Sequence, residues 1–295
     1  MTDTILVTGA TGHLGSRVIH HLLESQGVAP SRIIAGTRGP EKLADLAARG
    51  VTVRKVDFDD SASLDAALTG AGTVLIISTD ALDGAGTRLR QHKAAVAAAA
   101  KAGVKRIAYT SLQNADTSHV SFAPDHFGTE QAIEATGLPH LIFRNSWYAE
   151  NLFMSLPNAF ASGQWFTSAG DGKTAFAARD DIAAAIAGVL ANPPSGSATW
   201  TLTGGEALSN PEIATLATEI VGKPLQVINL TDAELAGGMK AAGVPEPIIP
   251  TLVSFDTAAR EGDLATVTGD VEQLSGRKPQ RLRDFIAANK VALAG

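Results

Sequence analysis

The feature that most constrains the fold is a short β-prone run that leads into regularly spaced glycines. The run Ile5–Val7 is followed by Gly9, Gly12 and Gly15 in the pattern Gly-x-x-Gly-x-x-Gly, and an apolar helical periodicity follows from Val18. Gly9 permits a backbone conformation closed to other residues, Gly12 lets the main chain approach a pyrophosphate, and Gly15 lets the helix pack close to the strand. This order predicts a strand–turn–helix unit that binds a dinucleotide.

Composition sets the broad class of the chain. Its 295 residues suffice for one large α/β domain or for a domain with a smaller lobe. The formal net charge of −6, without any run of Lys or Arg, argues against a nucleic-acid partner or an anionic membrane surface. With no cysteine and with 7 histidines in no metal-binding spacing, we expect no disulfide, no thiolate chemistry and no metal centre.

The N-terminus and the apolar stretches bear on where the protein works. The first predicted strand follows Met1-Thr2-Asp3 directly, so we expect no signal peptide, and no apolar run is long enough to span a bilayer. The most aliphatic helical stretch, Ala94–Ala100, is short and indicates a buried crossover helix. These features predict a cytoplasmic protein. The oligomeric state stays open, with a homodimer among the states allowed.

The first half of the chain alternates short apolar runs with helical patterns, which is typical of a parallel sheet with crossover helices. The predicted strands are Ile5–Thr8, Ile33–Thr37, Thr52–Val56, Val74–Ser78, Arg106–Thr110 and His140–Phe143. The predicted helices are Leu14–Ser25, Pro40–Arg49, Ala62–Leu68, Arg90–Ala102 and Thr129–Thr136. We therefore predict an α/β fold with a doubly wound parallel sheet of the Rossmann type, whose ligands lie along the carboxyl ends of the strands.

The alternation loosens after Asn151. The later predictions are a loop-rich stretch from Gly163 to Lys173, a helix over Arg179–Ala191, a strand over Thr199–Thr203, and capping boxes at Ser209 and Thr231. The chain is accordingly divided into an NADP-binding Rossmann domain over 1–151, with about 176–203, and a smaller C-terminal α/β lobe that binds substrate. That lobe comprises about 152–175 and 204–295.

The end of the second predicted strand indicates which dinucleotide binds. An NAD site usually places Asp or Glu there to accept from the ribose 2′-hydroxyl. Here Thr37 is followed by Arg38, with no acidic residue before Pro40. A guanidinium pairs with a 2′-phosphate in a bidentate manner, so NADPH is favoured over NADH. The alternative is that Arg38 is a solvated loop residue.

Two more strand ends are expected to contribute to the cofactor site. Asp57 and Phe58, after the third strand, are placed to flank the adenine, with a core position as the alternative for Phe58. Ser78, Thr79 and Asp80, after the fourth strand, are placed along the path to the nicotinamide ribose. This second placement rests on topology alone.

A nicotinamide enzyme acting on alcohols and ketones needs a proton donor beside its hydride, commonly a Ser after the fifth strand and Tyr-x-x-x-Lys on the next helix. Ser111 occupies the serine position and is predicted to contact the cofactor, but neither Tyr109 nor Tyr148 is followed by a lysine four residues on. The equivalent helix carries His126 and Glu130 in that spacing. A quinone, whose reduced form is stable near neutral pH, fits such a site better. His126 is the candidate that supplies a proton or orients the nicotinamide. The alternative is that His126 has only a structural role.

The segment Phe143–Asn151 is the second dense cluster of polar and aromatic groups. Asn145 is a candidate to hydrogen-bond the nicotinamide carboxamide or ribose. Trp147 or Tyr148 is a candidate to stack on a planar acceptor. The alternative is that the two aromatic residues are core residues that join the two lobes.

With these residues, the chain resembles the NmrA-like, atypical short-chain dehydrogenase group, and within it the bacterial type 2 NAD(P)H:quinone oxidoreductases. The resemblance runs almost end to end. Its most specific part is Arg144-Asn145-x-Trp147-Tyr148-x-Glu150-Asn151, and it includes Thr8–Gly15, Gln91-His92, Ala102–Leu112, Ala115–Ser118 and Ala169–Lys173.

The resemblance implies a bilobal fold with NADPH along the strand ends and a small quinone in the cleft, reduced directly and without flavin. The cofactor contacts it implies are the loop after the fourth strand together with Gly9, Ala10, Thr11, Gly12, His13, Leu14, Arg38, Asn145, Ser146, Trp147, Tyr148, Ala149 and Glu150. Two departures stand out. His13 replaces a more usual Gln, and Asp80–Arg90 is longer than in the family.

Three other functions share this fold. NmrA-like regulators bind a dinucleotide and act on a partner without turnover, which a site lacking the acid catalyst also fits. Reductases of triphenylmethane dyes are similar around Gly243–Pro247, so the acceptor stays open. Epimerases and dehydratases of nucleotide sugars need the Tyr–Lys pair and are disfavoured.

Overall fold

A parallel sheet organises the chain in the computed structural model, which describes residues 4–295. Met1–Asp3, which entered the expectation of no signal peptide, lie outside the described residues. The strands are β1 (Ile5–Val7), β2 (Ile33–Thr37), β3 (Thr52–Lys55), β4 (Thr73–Ile76), β5 (Arg106–Leu112), β6 (His140–Asn145), β7 (Gln164–Thr167), β8 (Lys173–Thr174), β9 (Ala198–Leu202), β10 (Leu208–Ser209) and β11 (Gln226–Asn229).

Helices link these strands and build the C-terminal part. They are α1 (His13–His20), α2 (Ala44–Ala48), α3 (Ser61–Leu68), α4 (Thr87–Lys101), α5 (Ala123–Glu134), α6 (Leu156–Ser162), α7 (Arg179–Ala191), α8 (Asn210–Val221), α9 (Asp232–Ala241), α10 (Ile249–Arg260), α11 (Asp270–Ser275), α12 (Leu282–Ala288) and α13 (Lys290–Leu293). A π-helical turn, His21–Ser25, continues α1, and short 3₁₀ turns span Pro30–Arg32, Pro40–Leu43, Ala149–Met154 and Glu246–Ile248. No helix in residues 4–295 is long and apolar enough to cross a membrane.

The main sheet has the strand order β3-β2-β1-β4-β5-β6-β9, and all neighbouring strands run parallel. Ile5 of β1 lies opposite Ile33 of β2 on one side and Thr73 of β4 on the other. The winding therefore reverses between β1 and β4, which confirms the predicted doubly wound fold. In such sheets the ligand crevice lies beyond the carboxyl ends of the strands at this reversal.

Helices cover both faces of the sheet. On one face, Val18 of α1 and Ile186 of α7 pack on the strands, and on the other face Val96 of α4 and Ile133 of α5 do so. Because both faces are buried, every residue of β1, β2 and β4 is buried as well. This is why these strands are continuous apolar runs and could be predicted from the sequence.

Some boundaries differ from the predictions in ways that matter for the site. β5 and β6 run further than predicted because their ladder continues to the pair Leu112–Asn145. α4 begins at Thr87 instead of Arg90, and α5 begins at Ala123, with a proline in its first turn, instead of Thr129. The polar residues of these first turns hide the apolar period that marks a helix. The early start of α4 brings Arg88 onto that helix, and α5 includes both His126 and Glu130.

The C-terminal predictions hold in part. The helix Arg179–Ala191 is confirmed, and capping boxes at Ser209 and Thr231 are both present. The stretch predicted as loop-rich, Gly163–Lys173, contains β7, which pairs with the distant β11. A partner so far along the chain leaves no local signal. The domain boundaries stay a prediction.

Candidate active site

The glycine turn has the shape that a dinucleotide pyrophosphate requires. Gly9 has a φ of +61°, in the left-handed region. A Cβ on Gly15 would lie 2.8 Å from the carbonyl carbon of Gly9 and closer still to its oxygen, so only glycine fits where α1 crosses the turn. Gly12 precedes α1 without any side-chain cap, and Thr11 and His13 are exposed beside it. The amide groups of the first turn of α1 are therefore open to an anion.

The end of β2 presents a free guanidinium near this turn. Arg38 is exposed and makes no hydrogen bond or ion pair with any side chain in residues 4–295, although its charge helps to lower the pKa of Asp59. Thr37 is buried, and its hydroxyl lies 3.0 Å from that of Thr11, which ties β2 to the glycine turn. Arg38 is thus available to a phosphate at this edge.

The residues predicted after β3 and β4 lie beside the same edge. Phe58 is half-buried against the core, and the backbone amide of Asp57 bonds to the Ser63 hydroxyl. Ser78 donates its backbone N–H to the hydroxyl of Thr110 on β5. The Thr79 hydroxyl is buried without a partner, and Asp80 is exposed.

The end of β6 supplies a second unsatisfied buried group. The amide nitrogen of Asn145 donates to the Tyr148 phenol oxygen at 3.2 Å, whereas the amide oxygen of Asn145 is buried without a partner. Because buried polar groups are nearly always hydrogen-bonded, the free oxygen of Asn145 and the free hydroxyl of Thr79 point to a polar ligand. Both belong to strand ends that flank the predicted crevice.

Three neighbours of Asn145 are engaged with the protein itself. The Ser146 hydroxyl donates to the carbonyl of Ala175, and the Ala149 amide bonds to the carbonyl of Ala177. The Glu150 carboxylate accepts from the backbone amide of Arg179 at 3.1 and 3.2 Å, at the start of α7. These contacts hold the segment in place, and cofactor contacts by Ser146, Ala149 and Glu150 stay a prediction.

Ser111 also has a partner within the fold. Its hydroxyl donates to Glu130 at 2.5 Å, and Glu130 pairs with Arg144 at 2.7 Å. This triad, in which Ser111 and Glu130 are buried and Arg144 is half-buried, joins β5, β6 and α5. The neighbouring Thr110 faces the other side of the sheet, where its hydroxyl bonds to Ser78. The cofactor contact of Ser111 stays a prediction.

A buried network surrounds His126. The Tyr109 phenol lies 2.8 Å from Nδ1 of His126 and 3.2 Å from Nδ1 of His92. Nε2 of His92 accepts from the Thr79 amide at 3.0 Å, and its Nδ1 lies 3.0 Å from the Thr129 hydroxyl. The network thus connects α4, β5 and α5 directly to the chain segment after β4.

Burial keeps this network uncharged. Desolvation, helped by the nearby Arg88 charge, lowers the pKa of His92 to about 3 and holds that of His126 well below its usual range. Desolvation likewise raises the pKa of Tyr109. Near neutral pH the phenol keeps its proton and both imidazoles are neutral. None of the three is an effective acid of the kind that a lysine-paired tyrosine provides.

Arg88 is the functional candidate that the sequence reasoning missed. It is 6% exposed, its Nη1 lies 3.3 Å from Nε2 of His126, and its Nε donates to the Ala81 carbonyl at 3.2 Å. Its guanidinium carbon lies 4.6 Å from the centre of the Phe122 ring. The available signal was the spacing Arg88-x-x-x-His92, which places both residues on one helix face.

The two aromatic residues after β6 have different neighbours. The Trp147 ring packs edge-to-face on Phe255 of α10, with ring centres 4.5 Å apart. Tyr148 lies under the Arg179 guanidinium at 4.7 Å, and burial raises its pKa. Trp147 therefore joins the sheet edge to the C-terminal helices, and stacking of either ring on an acceptor stays a prediction. In residues 4–295 no cluster of three or more His, Asp or Glu is arranged to hold a metal ion.

These features define a class: a doubly wound, dinucleotide-binding fold whose crevice contains neutral histidines where related enzymes carry a tyrosine–lysine pair. The chain belongs to the NmrA-like family, whose model matches residues 1–286. It is 38% identical over 283 residues to quinone oxidoreductase 2 of Escherichia coli (strain K12), with 96% of this chain and 97% of the relative covered.

Solved structures agree with this assignment. NADPH-dependent quinone oxidoreductase QOR2 from Escherichia coli, complexed with NADPH, matches with a TM-score of 0.91 and 37% identity over 97% of this chain and 99% of that one. The triphenylmethane reductase of Citrobacter sp., complexed with NADP(H), matches with a TM-score of 0.89 and 34% identity over 97% and 100%. The resemblance read from the sequence is confirmed.

Proposed function

We propose that this protein is an NADPH-dependent oxidoreductase that transfers hydride directly to a quinone-type acceptor, without flavin. The relatives named above are reductases, which favours this function over regulation without turnover. The observation that carries the proposal is the neutral network of Tyr109, His92 and His126 in the crevice. A site that offers no acid near neutral pH suits an acceptor that can be reduced without a proton from the protein.

The residues at the crevice fit NADPH. The open amides at the start of α1 would hold the pyrophosphate, Arg38 would pair with the 2′-phosphate, and the free oxygen of Asn145 would accept from the carboxamide. The close approach at Gly15 supports this assignment, because only that packing aligns the α1 N-terminus with the turn. When bound, the cofactor supplies the hydride.

The acceptor follows from the charge state of the crevice. A quinone gains hydride and leaves as the monoanion of a hydroquinone, which takes its second proton from solvent. An ordinary ketone would instead leave as a strongly basic alkoxide and would need an acid. Tyr109 and His126 would then shape and orient the site, keeping water away from one side of it.

Location and assembly are separate proposals. The lack of cysteine and the formal net charge of −6 without basic runs support a cytoplasmic protein that has no nucleic-acid partner. The homodimer is a prediction that sedimentation velocity of the full chain checks.

The test is oxidation of NADPH with 1,4-benzoquinone, followed by absorbance beside an NADH control. Arg38→Ala should raise KM for NADPH by about 10- to 100-fold and leave KM for NADH unchanged, since it removes one charge-assisted contact. Arg49→Ala, which removes an exposed arginine remote from the crevice, is the matched control. NADPH binding without turnover of any quinone or dye would contradict the proposal and favour the regulatory alternative.

A further inference from the structure

A buried cation that forms no ion pair with a carboxylate of the described residues lies beside the predicted crevice. Arg88 is 6% exposed, yet within residues 4–295 no carboxylate forms an ion pair with it. Its contacts are a backbone carbonyl, a neutral imidazole and the face of an aromatic ring. The exposed arginines Arg90 and Arg283, by contrast, each pair with an acidic side chain.

The position of Arg88 is at the ligand edge of the sheet. Ala81, whose carbonyl it contacts, follows β4, and Phe122, whose ring it covers, follows β5. The charge also acts on Tyr148, which follows β6. Segments after β4 and β5 therefore contact the guanidinium, its charge reaches a residue after β6, and these strand ends border the crevice.

Physical chemistry makes such a cation costly. Burial lowers the pKa of Arg88, but an arginine side chain stays protonated in proteins, so the charge persists. An unpaired buried charge is destabilising unless a partner compensates it. The Phe122 ring, one carbonyl and the charges of Asp80 and Asp125, neither of which forms an ion pair with Arg88, supply only part of that compensation. The remainder is available to a ligand that carries or develops negative charge.

We propose that Arg88 is a catalytic residue that stabilises the oxyanion formed when hydride reaches a neutral quinone, and that it selects such acceptors over cationic dyes. The inference rests on the proposed function and adds the chemical class of the acceptor. A C–H bond of the reduced nicotinamide would break, and its hydrogen would form a new bond to the quinone together with both bonding electrons, so that the dinucleotide is oxidised by two electrons to NADP⁺. The quinone is reduced by two electrons, and its new negative charge lies on oxygen beside the guanidinium.

The same cation acts against the dyes that a similar reductase processes. A triphenylmethane dye carries positive charge before reduction and becomes neutral on accepting hydride, so a buried guanidinium opposes its binding. A quinone is neutral before reduction and becomes anionic, so the guanidinium favours its transition state. Proteins similar to this chain include reductases of both kinds. We assign to Arg88 the preference for neutral quinones over cationic dyes.

The experiment compares Arg88→Leu and Arg88→Lys with the control Arg283→Leu, which removes an exposed arginine of α12. For Arg88→Leu we expect kcat with 1,4-benzoquinone to fall by about 100-fold, the size typical of a lost oxyanion contact. The ratio of crystal violet to quinone reduction should rise, and NADPH affinity, measured by fluorescence titration, should not change. Arg88→Lys should keep part of the activity.

Two readouts separate a chemical role from a structural one. The loss in Arg88→Leu should be largest for tetramethyl-benzoquinone, whose hydroquinone monoanion is most basic, and smallest for tetrachloro-benzoquinone. Separately, the wild-type complex with NADP⁺ should bind the 4-nitrophenolate anion, detected by its absorbance, and the Arg88→Leu complex should not.

The outcomes are distinguishable. Equal losses with quinones and crystal violet, with no dependence on the substituents and with 4-nitrophenolate binding retained, would overturn the role of Arg88 but leave the reductase intact. A loss of NADPH affinity in Arg88→Leu would assign the cation to a cofactor phosphate instead. A wild-type protein that reduces no quinone would overturn both proposals.

Discussion

Single residues determine the charge of the crevice. His92 and His126 are buried among polar partners that do not require a positive imidazole, and Arg88 adds the one persistent positive charge among them. The same burial that keeps the histidines neutral surrounds a guanidinium that forms no ion pair within residues 4–295 and feels only the more distant charges of Asp80 and Asp125. A neutral network and a lone cation are therefore two consequences of one packing arrangement.

Neutral buried histidines predict a pH-dependent stability. The unfolded chain protonates His92 below its ordinary pKa of 6.5, whereas the folded protein does so only near 3. The unfolded state therefore binds more protons in this window. The free energy of unfolding should therefore be highest above pH 6.5. As the pH is lowered further, it should fall by about 1.4 kcal/mol per pH unit for each such histidine.

Urea denaturation of wild type and His92→Asn between pH 7 and about pH 5.5, where most carboxylates are still ionised, checks this slope. The variant should show a shallower slope. The control His20→Asn, which removes an exposed imidazole of α1, should keep the wild-type slope. Identical slopes for wild type and His92→Asn would show that His92 is already charged in the folded state.

Among the secondary-structure elements, glycines set how closely neighbours approach. Gly188 of α7 faces the carbonyl of Leu274 in α11 at a distance that leaves no room for a Cβ. α7 also packs on α1, the helix that starts at the glycine turn. The contact between α7 and α11 therefore helps to hold α1 in place. A substitution of Gly188 is therefore expected to disturb the packing of α7 beneath the glycine turn.

Gly188→Ala should lower the free energy of unfolding by about 1–3 kcal/mol, because the added methyl forces the two helices apart. Gly237→Ala is the matched control, since Gly237 lies exposed in the middle of α9 with open space around its Cα. That substitution should raise stability by about 0.5–1 kcal/mol through helix propensity. Chemical denaturation of both variants measures the difference, and a Gly188→Ala protein as stable as wild type would refute the close contact.

For the molecule as a whole, an aromatic cluster joins the sheet edge to the C-terminal helices. Phe255 of α10 packs on Trp147 at 4.5 Å and on Phe122 at 6.0 Å between ring centres. Phe122 in turn supports the Arg88 guanidinium. The cluster therefore couples the C-terminal part of the chain to the residues that surround the crevice.

Phe255→Ala should lower the free energy of unfolding by about 2–4 kcal/mol and raise KM for a quinone, because it removes two ring contacts at this junction. Phe166→Ala, a truncation of a phenylalanine that is 47% exposed on β7, should change both little. Equal effects of the two substitutions on stability would indicate that the aromatic cluster does not hold the C-terminal helices to the sheet edge.

The sequence predicted the parts of this protein that depend on local requirements. The run Ile5–Val7 had to be a strand and Gly9 a turn, since buried strands need continuous apolar residues and a positive φ needs glycine. The alternation of apolar runs with helical patterns predicted the doubly wound sheet. The strand ends and helix starts that it defined gave the candidates Arg38, Asn145 and His126. The family resemblance rested on such local motifs.

Only the tertiary structure decided what the buried polar side chains do. Arg88 lies before the helix that the sequence predicts, and nothing local shows that it contacts Phe122, Ala81 and His126. The pairing of β7 with β11 was missed for the same reason, whereas the early start of α5 was missed because its polar first turn hides the apolar period. Burial, and with it the charge state of a site, depends on segments that are distant along the chain, whereas backbone conformation depends on neighbours.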